Sequence, residues 1–210
     1  RASGLLTSRE PMHIGAELYG HQGLEADAEI QSLLLASLRF CQLPGLRLDV
    51  SHAQIVRALL ARAPHLLENQ EAVYVALQAK DAAALKELTH GCDDEICMAL
   101  LALVDLYGGV EVLERARATL PSYPEITTAL NELQALSTLD NSESVQFDLA
   151  DLTGYDYHTG VMFTAYCTGM PNAIARGGRY DHIGQRFGRA RPATGFSLDL
   201  REITELLPCA

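Results

Sequence analysis

The segment between Gly154 and Gly160 holds Tyr155, Asp156, Tyr157 and His158, the densest run of ring-and-polar side chains in the chain. Tyrosine and histidine each offer a ring plus one polar atom, which suits recognition of an imidazole. Read as a strand, the segment puts Tyr155 and Tyr157 on one face and Asp156 and His158 on the other. One pair then lines a pocket while the other faces core or water, although a plain cross-strand aromatic ladder fits the same residues. Upstream, His13 and Glu17 share a face of a strand read over Met12 to Tyr19. A carboxylate on a pocket wall pairs with the ammonium of a free amino acid, and a strand glutamate facing solvent is the alternative. Downstream, Gly177-Gly178 lets backbone pass close to a ligand, or simply bends a strand. No general-base pair, catalytic triad, phosphate loop or His-x-x-x-His spacing accompanies these residues. The chemistry legible in the residues is binding, not catalysis.

The composition narrows the class. The chain has 210 residues, 48% of them apolar, enough for one large domain or two small ones with a proper core. No run of eighteen apolar residues occurs, so no membrane span is expected. The net charge is −11, which speaks against wholesale nucleic-acid binding, since phosphate contacts need a basic face. The charge is uneven: between Arg176 and Arg201 lie six arginines against two acids, Asp181 and Asp199. That cluster could meet an anion or an acidic partner, or be salt-bridged within a turn-rich sheet. The five cysteines, Cys41, Cys92, Cys97, Cys167 and Cys209, are scattered. They read as free thiols of a reducing cytoplasm rather than a metal site. Arg1 opens the chain without methionine or a leader-like segment, which reads as a piece of a longer protein.

Three regions must position these residues. Residues 1–50 read as a strand, a helix starting near Asp27 with Ile30, Leu33, Leu34, Leu38 and Cys41 at helical spacing, and a strand over Leu46 to Val50. Pro44-Gly45 closes the helix. Residues 51–140 read as mainly helix. Ser51 is the expected N-cap of the first helix and Asp81 of another. Ile96 to Tyr107 forms a third, ended by Gly108-Gly109, and Ile126 to Leu136 a fourth. Residues 141–210 read as short strands over Val161–Cys167, Ala173–Gly177 and Ala193–Leu198, followed by a helix over Leu200–Leu207. Strands flanking a helical stretch predict an α+β fold: an antiparallel sheet interrupted in sequence by a helical insertion.

Taken together, the motifs resemble the histidyl-tRNA synthetase family over essentially the whole chain. Arg9 to Glu17 is similar to the second strand of that family's motif 2, with His13 at the usual glutamine position. Glu25 to Glu29 is similar to the Asp-Ala-Glu that opens the next helix. Asp156-Tyr157 matches the first histidine motif and Gly177 to Asp181 the second. The resemblance implies a class II aminoacyl-tRNA synthetase-like antiparallel sheet flanked by helices. It also implies a histidine pocket of His13, Glu17, Tyr157, His158, Gly177, Gly178 and Tyr180. Glu17 would meet the ammonium, and Tyr157, His158 and Tyr180 would surround the ring. Motif 1, the dimer strand and the first half of motif 2 are expected on a preceding segment.

The departures matter more than the matches. The first histidine motif of the family opens with a catalytic arginine, where this chain has Thr153. Motif 3 ends in an arginine that grips ATP, where this chain has Glu202. Arg201 is one residue off, about 100° around a helix. Adenylation builds charge on phosphates, and losing one fixed donor of this kind costs a factor of about 10² to 10³. A synthetase-like chain with this pattern resembles the regulatory subunits of ATP phosphoribosyltransferase, as do Leu6 to Pro11, Gly20-His21 and Phe187 to Gly195. That resemblance implies a cytoplasmic, non-catalytic, allosteric subunit with no cofactor and no metal. It would assemble as a homodimer within a hetero-octamer with a short-form catalytic subunit. It would be required for activity and for feedback by free histidine on the first step of histidine biosynthesis. An active histidyl-tRNA synthetase and a degenerate, tRNA-sensing module are the alternatives.

Overall fold

The computed structural model describes residues 12–139, 145–155, 157–182, 188 and 190–206. Arg9, Asp156 and the stretch from Phe187 to Arg189, apart from Gly188, lie outside the described residues. The first strand, β1 (His13–Tyr19), is followed by α1 (Leu24–Phe40) and β2 (Arg47–His52). A helical stretch comes next: α2 (Ala53–Leu60), α3 (Pro64–Leu67), α4 (Gln70–Gln78), α5 (Ala82–Leu88) and α6 (Asp94–Leu103). It continues through a two-residue strand, β3 (Tyr107–Gly108), to α7 (Glu111–Thr119) and α8 (Pro124–Leu139). Strands β4 (Val145–Asp148), β5 (Val161–Tyr166), β6 (Ala175–Arg179) and β7 (Ala193–Asp199) then lead to α9 (Leu200–Leu206).

These strands form one sheet in the order β1-β7-β6-β5-β2-β4-β3. It is antiparallel except at one pair, β2 with β4, which runs parallel. Parallel neighbours need a long crossover connection, and the α2–α8 stretch supplies it. The period-2 pattern of strands separates two faces. Ala16, Phe196, Gly177, Phe163 and Val50 lie side by side in register and point into the core. There they meet α1 and α8, whose Leu34, Leu38, Leu130 and Leu133 are buried. The adjacent row of Glu17, Gly195, Gly178 and Met162 faces the other way. No helix among the described residues is long and apolar enough to cross a membrane.

Several local expectations change. Helix α1 begins at Leu24, after an extended Gly23, with Glu25 and Asp27 in its first turn, where acids complement the helix dipole. Ser51 lies in β2 and donates to the Asp151 carbonyl at 2.8 Å. The cap of α2 is His52, whose Nδ1 accepts from the Gln54 N–H at 3.2 Å. Asp81 caps α5 as expected, accepting from Ala83 and Ala84. Gly108 lies in β3 rather than ending α6. Tyr155 and Tyr157 lie in a turn, not a strand. Asp151 accepts from both the N–H and the hydroxyl of Thr153, Gly154 adopts φ +79°, and the Gly154 carbonyl accepts from the N–H groups of Tyr157 and His158. Such a turn needs the left-handed conformation that glycine adopts without penalty.

Candidate functional site

The row Glu17–Gly195–Gly178–Met162 is the floor of the candidate site. Its two central members lack side chains, so the sheet backbone is bare between a carboxylate and the turn above β5. A Cβ at Gly178 would come within 2.5 Å of both the His158 ring and the Val161 carbonyl, at a φ of +154°. Gly178 and His158 therefore fit as one unit. Gly178→Ala is expected to push His158 off the floor and weaken any ligand held there about tenfold or more, measured by titration calorimetry, because neither strand backbone nor a buried ring can yield cheaply.

Three rings stand at one end of this floor. Tyr157 and Tyr180 have centroids 5.0 Å apart, and Tyr157 and His158 meet edge-on at 5.7 Å. Tyr157 is half exposed, whereas Tyr180 and His158 are buried. Tyr19, two residues beyond Glu17 on the same face, donates its hydroxyl to the Glu17 carboxylate. The buried Tyr180 hydroxyl has no protein partner in good hydrogen-bonding geometry. Burial raises its pKa, and the neighbouring Tyr19 hydroxyl and Glu17 carboxylate raise it further. Burial also raises the hydroxyl pKa of Tyr157, with a contribution from Glu17.

His158 has a defined tautomer. Its Nδ1 lies 2.8 Å from the Gly154 carbonyl, which only accepts, so Nδ1 carries the proton. Burial lowers the pKa of this imidazole from its ordinary 6.5, leaving Nε2 as a bare acceptor near Gly178. The unfolded chain takes up a proton on this group at a higher pH than the folded chain does, so folded stability falls as pH drops below 6.5. Glu132 has a pKa lowered by its 2.8 Å hydrogen bond to His52 and adds a second loss below its ordinary 4.5. Thermal midpoints should be level between about pH 7 and 8 and fall in two stages below pH 7, with His158→Phe abolishing the first.

Not every residue expected in the pocket gathers there. Glu17, Tyr157, His158, Gly178 and Tyr180 do. Gly177 faces the core, where a Cβ would lie 2.4 Å from the Phe163 ring. His13 shares a face with Glu17 but stands four residues away, about 13 Å along the strand, with Ser197 at 3.1 Å and Asp199 at 3.8 Å. Tyr155 turns inward, its ring tilted against Tyr74 at 4.4 Å and under the Arg57 guanidinium at 4.8 Å. Tyr19 and Gly195 were not singled out in the sequence. Their signal was alternation along two strands, which shows only once the register is known.

Behind the floor, Arg179 anchors the site. Its Nε and Nη2 donate to Asp27 Oδ2 at 2.9 and 2.7 Å. Nη2 also donates to the Gly23 carbonyl at 3.1 Å, and Nη1 to the His21 carbonyl at 3.2 Å and Asp181 at 3.3 Å. All five guanidinium N–H donors are thereby used, and they tie the start of α1 to β6 next to Tyr180. Burial pushes the Asp27 carboxyl up while Arg179 pulls it back.

The two residues that the sequence resemblance sets at arginine positions, Thr153 and Glu202, carry no positive charge. Thr153 directs its hydroxyl to Asp151 at 2.7 Å. Glu202 lies in the first turn of α9, with its N–H held by Asp199. Among the described residues no group of three or more His, Cys, Asp or Glu side chains could hold a metal ion.

A seven-stranded sheet of this order, flanked by helices, is the class II synthetase-like fold. The family model for histidyl-tRNA synthetase matches residues 1–203, and the chain belongs to that family. An ATP phosphoribosyltransferase regulatory subunit from Cupriavidus metallidurans is 59% identical over 208 residues, covering 99% of this chain and 54% of the relative. The chain thus spans about half the length of the curated relatives it matches. Among solved structures, an ATP phosphoribosyltransferase regulatory subunit/histidyl-tRNA synthetase from Bacillus halodurans superposes with a TM-score of 0.83 at 28% identity, covering 94% of this chain and 53% of that one. A chain of the ATP phosphoribosyl transferase (HisG:HisZ) complex from Thermotoga maritima shares the fold, with TM-score 0.73 at 20% identity over 95% of this chain and 69% of that one.

Proposed function

We propose that this chain forms the histidine-sensing part of a non-catalytic regulatory subunit of ATP phosphoribosyltransferase. One observation carries the reading. The floor of Glu17, Gly195 and Gly178, with His158 and Tyr180 at its end, suits a free amino acid with an imidazole ring, and Thr153 and Glu202 fall where the sequence resemblance puts the synthetase family's adenylating arginines. The 59% identity to a relative of that name supports it.

Bound histidine would set its ammonium against Glu17. Its imidazole would lie against Tyr157 and Tyr180, with a ring N–H donated to His158 Nε2 and the Tyr180 hydroxyl within reach. The partner is a short-form catalytic subunit, in a cytoplasmic hetero-octamer containing a homodimer of this subunit. Feedback then requires a coupling free energy between pocket and partner, typically about 1–3 kcal/mol. The test is association. The natural-length protein is mixed with a short-form catalytic subunit, and complex formation and the rise in phosphoribosyl-ATP synthesis are measured. A stable, activated complex supports the reading, and two inert, separate proteins refute it.

A further inference from the structure

Helices α4 and α5 pack against each other and leave an open groove of about 800 Å³. Its floor is small and apolar, built from Ala72, Ala76 and Ala84 with Val75 60% exposed beside them. Its rim is acidic, with Glu68, Glu71, Asp81 and Glu87. Lys80, which joins the two helices, does not offset that charge. It turns to Asp148 at 2.9 Å and to the ring of Tyr107 at 4.1 Å. Asp81 is committed to capping α5. Glu68, Glu71 and Glu87 form no ion pair among the described residues. An apolar floor with an uncompensated acidic rim is complementary to a segment whose apolar stripe is flanked by lysine or arginine, and it repels acidic surfaces.

We propose that the α4–α5 groove docks a basic, amphipathic segment of the protein partner. This inference rests on the reading above, in which that partner is the short-form catalytic subunit. The placement suits regulation, because α4 also buttresses the candidate site. Tyr74, the neighbour of Val75, packs its ring against Tyr155 at 4.4 Å in the turn that leads to Tyr157 and His158, and Arg57 Nη2 donates to the Tyr155 carbonyl at 3.0 Å. A segment seated on Val75 bears on the helix that holds the histidine-binding turn.

The test is a triple charge reversal, Glu68→Lys, Glu71→Lys and Glu87→Lys, in the natural-length protein. It is compared with Glu29→Lys, Glu114→Lys and Glu205→Lys, an equal charge change at other exposed positions. Association with a short-form catalytic subunit is measured by calorimetry at low and high salt. The groove variant should bind at least about tenfold more weakly at low salt, with the difference shrinking as salt screens it. The control should bind as the native protein does. Equal affinity of the groove variant and the native protein overturns the inference and leaves the proposed function standing, as does an equal loss in both variants. No association by the native protein removes both.

Discussion

Arg179→Met should destabilise the protein by about 3–5 kcal/mol, because removing one partner of a buried pair leaves the other charge uncompensated. Asp27 is 1% exposed and takes two charge-assisted hydrogen bonds on one oxygen, while its other oxygen is buried without a partner. Without Arg179 the carboxylate has no way to stay ionised inside the core. The carbonyls of His21 and Gly23 lose the Arg179 N–H groups as well, freeing the start of α1 from β6. The double variant Asp27→Leu with Arg179→Met should recover much of the loss, since apolar replacement of a whole buried pair is often neutral. Urea denaturation of the single and double variants measures this. A single variant within about 1 kcal/mol of the native protein would show that the pair is not a structural anchor.

Glu17→Gln should weaken histidine binding by about 1.5–3 kcal/mol, the range for a hydrogen bond to a charged group, or roughly ten- to 150-fold. The substitution keeps shape and hydrogen-bonding capacity and removes only the charge that answers an ammonium. Tyr19→Phe is the control. It deletes the hydroxyl that Glu17 accepts and leaves the carboxylate, so binding should change far less. Titration calorimetry on the natural-length protein reads both. Equal effects would show that Glu17 acts by holding Tyr19 and not by meeting the ligand.

The sheet elements nearest the site were the most legible in the sequence. Val161 to Tyr166, Ala193 to Asp199 and His13 to Tyr19 are extended runs bounded by glycine or proline, and each forms a strand. The short pieces were not legible. Strand β3 has two residues and β4 four, too few for a period to register, and both depend on pairing with distant partners. The turn over Tyr155 to His158 misled for a related reason. Its aromatic residues favour strands, but the Asp151–Thr153 hydrogen bonds and the left-handed Gly154 reverse the chain before an extended run can form. Residue types alone pointed to Glu17, Tyr157 and His158, and the family resemblance added Tyr180. Which glycine of the Gly177-Gly178 pair belongs to the floor followed only from register, because a single-residue step exchanges the two faces of a strand. The Arg179–Asp27 bond joins residues 152 apart in sequence, and no local pattern announces it.

The proposed histidine sensing acts on a separate catalytic subunit. The most direct measurement is phosphoribosyl-ATP formation by the assembled complex with histidine titrated in, using the native protein and Glu17→Gln in parallel. Native complex should be activated over the catalytic subunit alone and then inhibited by histidine. The Glu17→Gln complex should be activated equally but need roughly tenfold or more histidine for the same inhibition. Identical inhibition curves for the two complexes would contradict the account and place the feedback site elsewhere in the assembly.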